Sequence, residues 1–203
     1  MVELSNVANV ETHPFEPFLP KSAKLLMLGT FPPSPKRWCM DWYYPNYTND
    51  MWRIMGLCFF GDKKKFVDES HKTYRLDSLK EFLVDKGIAI FDTCLRIRRT
   101  KGTASDKDLE VVEQADLDGM LRNLPLCHGV LTAGQLATNI FIDHYGIANA
   151  DGKKLKMGCS LEFMFDGRKI LLYRQPSSSR AYPMKLEDKA GYYKKMFEEL
   201  GIK

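Results

Sequence analysis

Apolar residues along this 203-residue chain fall into two patterns. Some form short unbroken runs, and others recur every three or four positions through longer stretches. The runs at 24–28 (KLLML), 88–91 (IAIF) and 129–131 (GVL) are too short for helices and read as strands buried on both faces. A fourth strand belongs to a hairpin, because apolar residues over 161–165 and 168–173 flank Asp166-Gly167, a dipeptide suited to a tight turn. Helical spacing joins Met51, Trp52, Met55 and Phe59, with Thr48 or Asn49 placed to cap that helix. Further helices are expected over 77–86, ended by Gly87, over 105–123, and from Gly134 to about residue 145. The last helix has its stripe at Leu186, Ala190, Tyr193, Phe197 and Leu200.

Strands alternating with helices predict an α/β fold, with a mostly parallel sheet covered on both faces. Such sheets bind ligands beyond the carboxyl ends of their strands. The unusual loops fall there, at 29–48, 92–101, 132–134 and 174–183. Repeats, low-complexity tracts and Gly/Ser linkers are absent, so one domain over 1–203 is the simplest organisation.

Composition narrows the class. The chain is 44% hydrophobic and 28% charged, enough apolar material for a packed core. No apolar run approaches the ~20 residues that span a bilayer, so no membrane partner is expected. The opening residues carry Glu3 and Glu11 and lack a basic-then-apolar leader, which points to a cytoplasmic protein. Five cysteines stand singly at 39, 58, 94, 127 and 159, and the four histidines form no H-x-x-x-H. Neither pattern matches a zinc, redox or iron–sulfur site, so reduced, mostly buried thiols and no metal or cofactor are expected. The net charge is only +4, but Arg96, Arg98, Arg99 and Lys101 crowd one stretch and Lys63, Lys64 and Lys65 another. These clusters are either solvated faces or a surface that tracks phosphates.

The segment GTFPPSPKRWCMDWYYPNYTNDMW is the most informative. Trp38, Trp42, Tyr43, Tyr44 and Tyr47 are many aromatics for a passive connector, and Asn49 precedes Trp52 by three. Flat rings suit stacking on a nucleobase and an amide both donates and accepts hydrogen bonds, although a lid folded onto the core would need the same rings. GTFP after an apolar strand, then YY-x4-N-x-x-W opening a helix, resembles the uracil-DNA glycosylase superfamily. The resemblance lies closest to its hypoxanthine (deoxyinosine) and mismatch-specific branch. KGIAIFDTCLRIRRTKGTASD is similar to the GI-x-x-x-D-V…S-x-D block of that branch, on Asp92, Ser105 and Asp106. Pro176-Ser-Ser-Ser179 is similar to its P-S-T/S-S-P loop.

The resemblance, over roughly 24–200, implies a three-layer α/β/α sandwich around a central, mostly parallel four-stranded sheet. It implies a monofunctional glycosylase that hydrolyses the N-glycosidic bond of deaminated bases, hypoxanthine or uracil, in DNA. DNA carrying a damaged base would be the partner, with the protein acting as a monomer. No cofactor is needed, since the enzyme only has to extrude the nucleotide, hold its base and place one water behind the sugar. Asn49 would orient that water, or else only cap its helix. Gly29, Thr30 and Phe31 would line the base pocket; Phe31 or Tyr44 would stack on the base, or pack in the core. Asp92 would bind a base edge or orient a loop. Ser177, Ser178 and Ser179 would contact the DNA backbone, with Arg180 in the groove or on a phosphate. Relatives often carry an acid or Asn in the first turn, where this chain has Thr30, Phe31 and Pro32. The rival readings are a catalytically silent nucleic-acid-binding module on the same fold and a hydrolase of free nucleosides or nucleotides.

Overall fold

A computed structural model describes residues 10–101, 106–147 and 155–203. In chain order its strands are β1 (Val10–Thr12), β2 (Leu25–Gly29), β3 (Val67–Asp68), β4 (Thr73–Tyr74), β5 (Ile88–Asp92), β6 (Cys94–Arg99), β7 (Leu109–Gln114), β8 (Gly129–Ala133), β9 (Ser160–Phe165) and β10 (Arg168–Gln175). The helices are α1 (Met51–Phe60), α2 (Leu76–Lys86), α3 (Leu117–Asn123), α4 (Gln135–Tyr145) and α5 (Leu186–Glu199).

The central sheet has the order β5-β2-β8-β10-β9. Its first four strands are parallel, and β9 runs antiparallel along β10. The sheet therefore has five strands where four were expected. The extra one is the first arm of the Asp166-Gly167 hairpin, whose two turn residues both have positive φ, at 46° and 75°. Every residue of β2 and β5 is buried, as strands covered on both faces must be. On one side α1 packs against α2 and α5 through Phe59, whose ring lies 5.0 Å from Phe82 and 4.7 Å from Phe197. The chain reverses its progress across the sheet after β5, so right-handed crossovers put α3 and α4 on the other side. There Thr138 of α4 meets Thr132 of β8 at 2.8 Å, and Phe141 packs 5.4 Å from Phe163 of β9.

A second sheet, β1-β6-β7, is antiparallel and corrects two expectations. Residues 92–101 are largely strand rather than loop, and the helix expected over 105–123 shrinks to α3. Leu109 and Val111 alternate with Glu110 and the exposed Val112, and they turn inward with Ile97 to a small apolar cluster around Cys94 and Ile140. Long-range pairing overrides the weak helical pattern here. Cross-strand charges reinforce it: Arg98 reaches Glu110 at 2.8 Å, Arg96 reaches Glu113 at 3.5 Å and Arg99 reaches Glu11 at 2.8 Å. The arginine cluster is thus engaged in holding a sheet together. Ser105 lies outside the described residues.

Candidate active site

Parallel register sets Asp92, the last residue of β5, beside Gly29, the last of β2. A Cβ at position 29 would stand 2.3 Å from Asp92 Oδ1, so the carboxylate occupies space that any other residue would fill. The other oxygen, Oδ2, lies 2.9 Å from Nε2 of His13, whose side chain is completely buried. Nδ1 of that ring lies 3.2 Å from the Phe15 N–H and 3.0 Å from the Phe15 carbonyl, while Nε2 faces a carboxylate oxygen, to which a ring N–H donates. Thr30 turns its hydroxyl toward Asp106 Oδ2 at 3.4 Å. Asp106 stands on the rim and is solvent-accessible as a residue, yet protein crowded around its carboxyl raises the pKa, and Asp92 adds to the rise. The Thr30 hydrogen bond acts the other way.

Tyr44 has φ +49°, a left-handed conformation that is uncommon for a residue with a Cβ. Its ring meets Trp52 edge-on at 5.9 Å, and its buried hydroxyl has no hydrogen-bond partner among the described residues. Burial holds that phenol neutral, far above the usual range. Phe31 is half-buried, edge-on to His13 at 5.3 Å and beneath the Arg99 guanidinium at 5.7 Å. The neighbouring rings behave as a lid folded onto the core. Trp42 stacks on Trp52 at 5.8 Å, and Tyr43 donates its hydroxyl to the Glu16 carbonyl at 2.7 Å.

Asn49 stands at the entrance to α1. Its Oδ1 accepts the Met51 N–H at 2.9 Å, so the side chain does cap the helix, while Asp50 occupies the N-cap position without a side-chain bond of that kind. Arg53 and the Tyr74 hydroxyl each donate to the Asn49 carbonyl, both at 2.9 Å, and fix the backbone on which the amide rides. Across from it, the loop 177–180 is tied to the same helix end. Asp50 N–H donates to the Ser178 carbonyl at 2.9 Å. The fully buried Lys189 of α5 donates to Asp50 Oδ2 at 2.9 Å and to the Ser179 carbonyl at 2.7 Å. Arg180 reaches Asp50 Oδ1 at 3.2 Å with its side chain still 58% exposed. Ser177 Oγ accepts the Ser179 N–H at 3.2 Å, and Ser179 Oγ accepts the Ala181 N–H at 3.3 Å, which shapes the turn.

These pieces enclose a cavity of about 230 Å³ at the carboxyl edge of the sheet. Gly29, Thr30, Phe31, Tyr44, Asn49, Asp92, Ser177, Ser178, Ser179 and Arg180 all line it, so the structure brings together every residue nominated from the sequence. Among the described residues that line it, none is a lysine. The cysteines stand apart from it: two are buried, two half-buried and one exposed, and burial lifts the Cys58 and Cys94 thiols to about 12. Among the described residues, no three His, Cys, Asp or Glu side chains group as metal ligands would, and no helix is long and apolar enough to cross a membrane.

Sequence reasoning missed His13, Asp50, Arg53, Tyr74 and Lys189. One of them left a signal. Lys189 lies three residues after Leu186 and four before Tyr193, within the apolar stripe of α5, where a charge has to find a buried partner. His13 left none, because its partner is 79 residues away.

No family model matches the chain, and no curated protein matches it. Among solved structures, the chain aligns with a solution NMR structure described as "a putative Uracil DNA glycosylase from Methanosarcina acetivorans". The TM-score is 0.62 at 18% identity, over 95% of this chain and 99% of that one. The two share a fold. At that identity the likeness is one of architecture, and chemistry has to be argued from the cavity.

Proposed function

We propose that this protein is a monofunctional DNA glycosylase of the uracil-DNA glycosylase superfamily, acting on deaminated bases, hypoxanthine or uracil. One observation carries the reading: a single cavity at the sheet's carboxyl edge gathers the Asn49 amide, the Phe31, Tyr43 and Tyr44 rings, a glycine floor and a serine-rich rim. The fold shared with the Methanosarcina acetivorans protein supports it. In this reading the target nucleotide swings out of the stack and its base enters over Gly29, Thr30 and Phe31, with Tyr44 alongside. Asn49 orients the attacking water. Its amide is held by the Met51 N–H through one lone pair of Oδ1, which leaves the second lone pair and the NH2 group to grip water. Holding a reactant in attacking geometry removes a substantial part of the barrier to a reaction that needs no covalent catalyst. The serine turn and Arg180 contact backbone phosphates, which position the strand without reading its sequence. A cavity with no lysine among its described lining residues fits simple hydrolysis better than Schiff-base chemistry.

Duplexes carrying one uracil, hypoxanthine, xanthine or G·T pair, treated with the protein and then with alkali, test the reading. Strand breaks at the modified position are expected, and Asn49→Ala abolishes them while preserving the folded state. A gel shift without breaks would instead indicate a silent binding module. Base released from free inosine or deoxyuridine would indicate a nucleoside hydrolase. Removing Arg180 is expected to lower the slope of log K against log salt by about one.

A further inference from the structure

The reaction proposed above needs something that Asn49 cannot supply. When water attacks the anomeric carbon, its oxygen forms a bond there, the C–N bond breaks and its electron pair leaves with the base. One proton of the water must then be accepted, and an amide oxygen is far too weak a base to take it. The first turn offers no help, since Thr30, Phe31 and Pro32 have no basic group. The fold delivers a carboxylate to that turn from the neighbouring strand. Asp92 Oδ1 fills the niche left by the missing Cβ of Gly29, at the floor of the cavity that Asn49 also lines. Its other oxygen is taken by His13, a fully buried ring brought in by the segment that follows β1. An imidazole N–H on one carboxylate oxygen fixes the group's rotation, leaving the second oxygen to act.

Resting on that glycosylase reading, we infer that Asp92 is the proton acceptor for the attacking water and that His13 is its positioning residue. The proton moves from the water to Asp92 Oδ1 as the sugar–base bond opens, and then passes to the departing base anion or to solvent. The other carboxylate of the cavity, Asp106, is a poorer candidate. It stands on the exposed rim, where the 3.4 Å contact from the Thr30 hydroxyl holds it less firmly than the 2.9 Å imidazole contact holds the buried Asp92.

The test uses the full chain in single-turnover assays on the best duplex of the four-lesion panel, with gel shifts on the same duplex. Asp92→Asn is expected to lower the rate constant by ~10²–10⁴-fold, the range for removing a general base, while duplex affinity stays within about threefold. Formate is expected to restore part of the activity of Asp92→Ala, which a purely architectural role would not allow. His13→Leu is expected to reduce the rate about tenfold or more at unchanged affinity, and His13→Gln, which keeps an N–H donor, to recover most of it. If Asp92→Asn does not fold, the two His13 variants and their difference decide the question. An active wild type whose Asp92→Asn variant turns over within threefold of it overturns the inference and leaves the glycosylase reading standing. So does loss of the rate in Asp106→Asn but not in Asp92→Asn, which would move the base to the rim. A wild type silent on all four duplexes overturns the reading itself, and the inference falls with it.

Discussion

Two walls face each other across the cavity, and they are held by different physics. The wall formed by the loop after β2 is held by packing, with Trp42 stacked on a fully buried Trp52 and Tyr43 tied to the Glu16 carbonyl. The wall formed by residues 177–180 contributes no large side chain to the core. It is held by polar ties to the start of α1: the Asp50 N–H on the Ser178 carbonyl, Arg180 on Asp50, and the one buried ammonium, that of Lys189, shared between Asp50 and the Ser179 carbonyl. Packing of the first kind is non-directional and tolerates salt and pH. A buried ion pair of the second kind adds little net stability, yet it fixes position sharply and is costly to break from one side. The wall that would orient water is thus built for permanence. The wall that would meet a phosphate chain is built on charge and carries Arg180, a cation that can exchange one anion for another.

Substitutions on each side should separate these two kinds of support, and the two largest effects are comparable in size but different in character. Lys189→Met leaves Asp50 buried with only the half-exposed Arg180, and is expected to cost about 3–5 kcal/mol in urea denaturation. Adding Asp50→Asn should return part of that loss, because the stranded charge goes. Trp52→Ala is expected to cost about 3–5 kcal/mol through a core cavity, with no second-site charge change able to repair it. If Asp50→Asn gave no recovery, the charge account of the late wall would be wrong. Smaller is Gly29→Ala, whose methyl meets Asp92 Oδ1; about 1–3 kcal/mol is expected, together with a displaced carboxylate visible as reduced turnover. Arg180→Ala should change stability by only ~0–1 kcal/mol, its side chain being mostly in solvent, while weakening DNA binding.

The smallest effect concerns pH. Because folding raises the pKa of Asp106, chiefly by burial, the folded state binds protons more readily than the unfolded chain. Stability from this group therefore falls as pH rises from the ordinary carboxylate range through its raised pKa. Thermal melts should show Asp106→Asn at least as stable as the parent at neutral pH. The difference should vanish under acid conditions, where both states hold the proton.

The walls also differ in how far the sequence disclosed them. The first was legible because apolar strand, glycine turn and tyrosine-rich entry to a helix are local features, each readable within a dozen residues. The four parallel strands were legible for the same reason. β6 and β7 were not, since neither strand is apolar enough alone and their pairing joins Arg98 to Glu110 only once the chain has turned back. The fifth strand was visible as one arm of a hairpin, but its place at the sheet's edge is a matter of register and not of local pattern. All the nominated site residues meet in one cavity, whereas none of the partners that hold them was nominated from the sequence. Asp50 and Lys189 are 139 positions apart, and their mutual burial is set by how α5 packs on α1.

That separation has a consequence for how the protein is made on the ribosome. A nascent chain that has emerged only through β10 already carries the residues of the tyrosine-rich wall and its asparagine. Asp50 would still lack its counterion until the residues of α5 leave the exit tunnel and dock. The charged wall therefore cannot be completed before residue 189 is in place, and a translation product ending ahead of it would lack the ammonium that ties Asp50 to the Ser179 carbonyl.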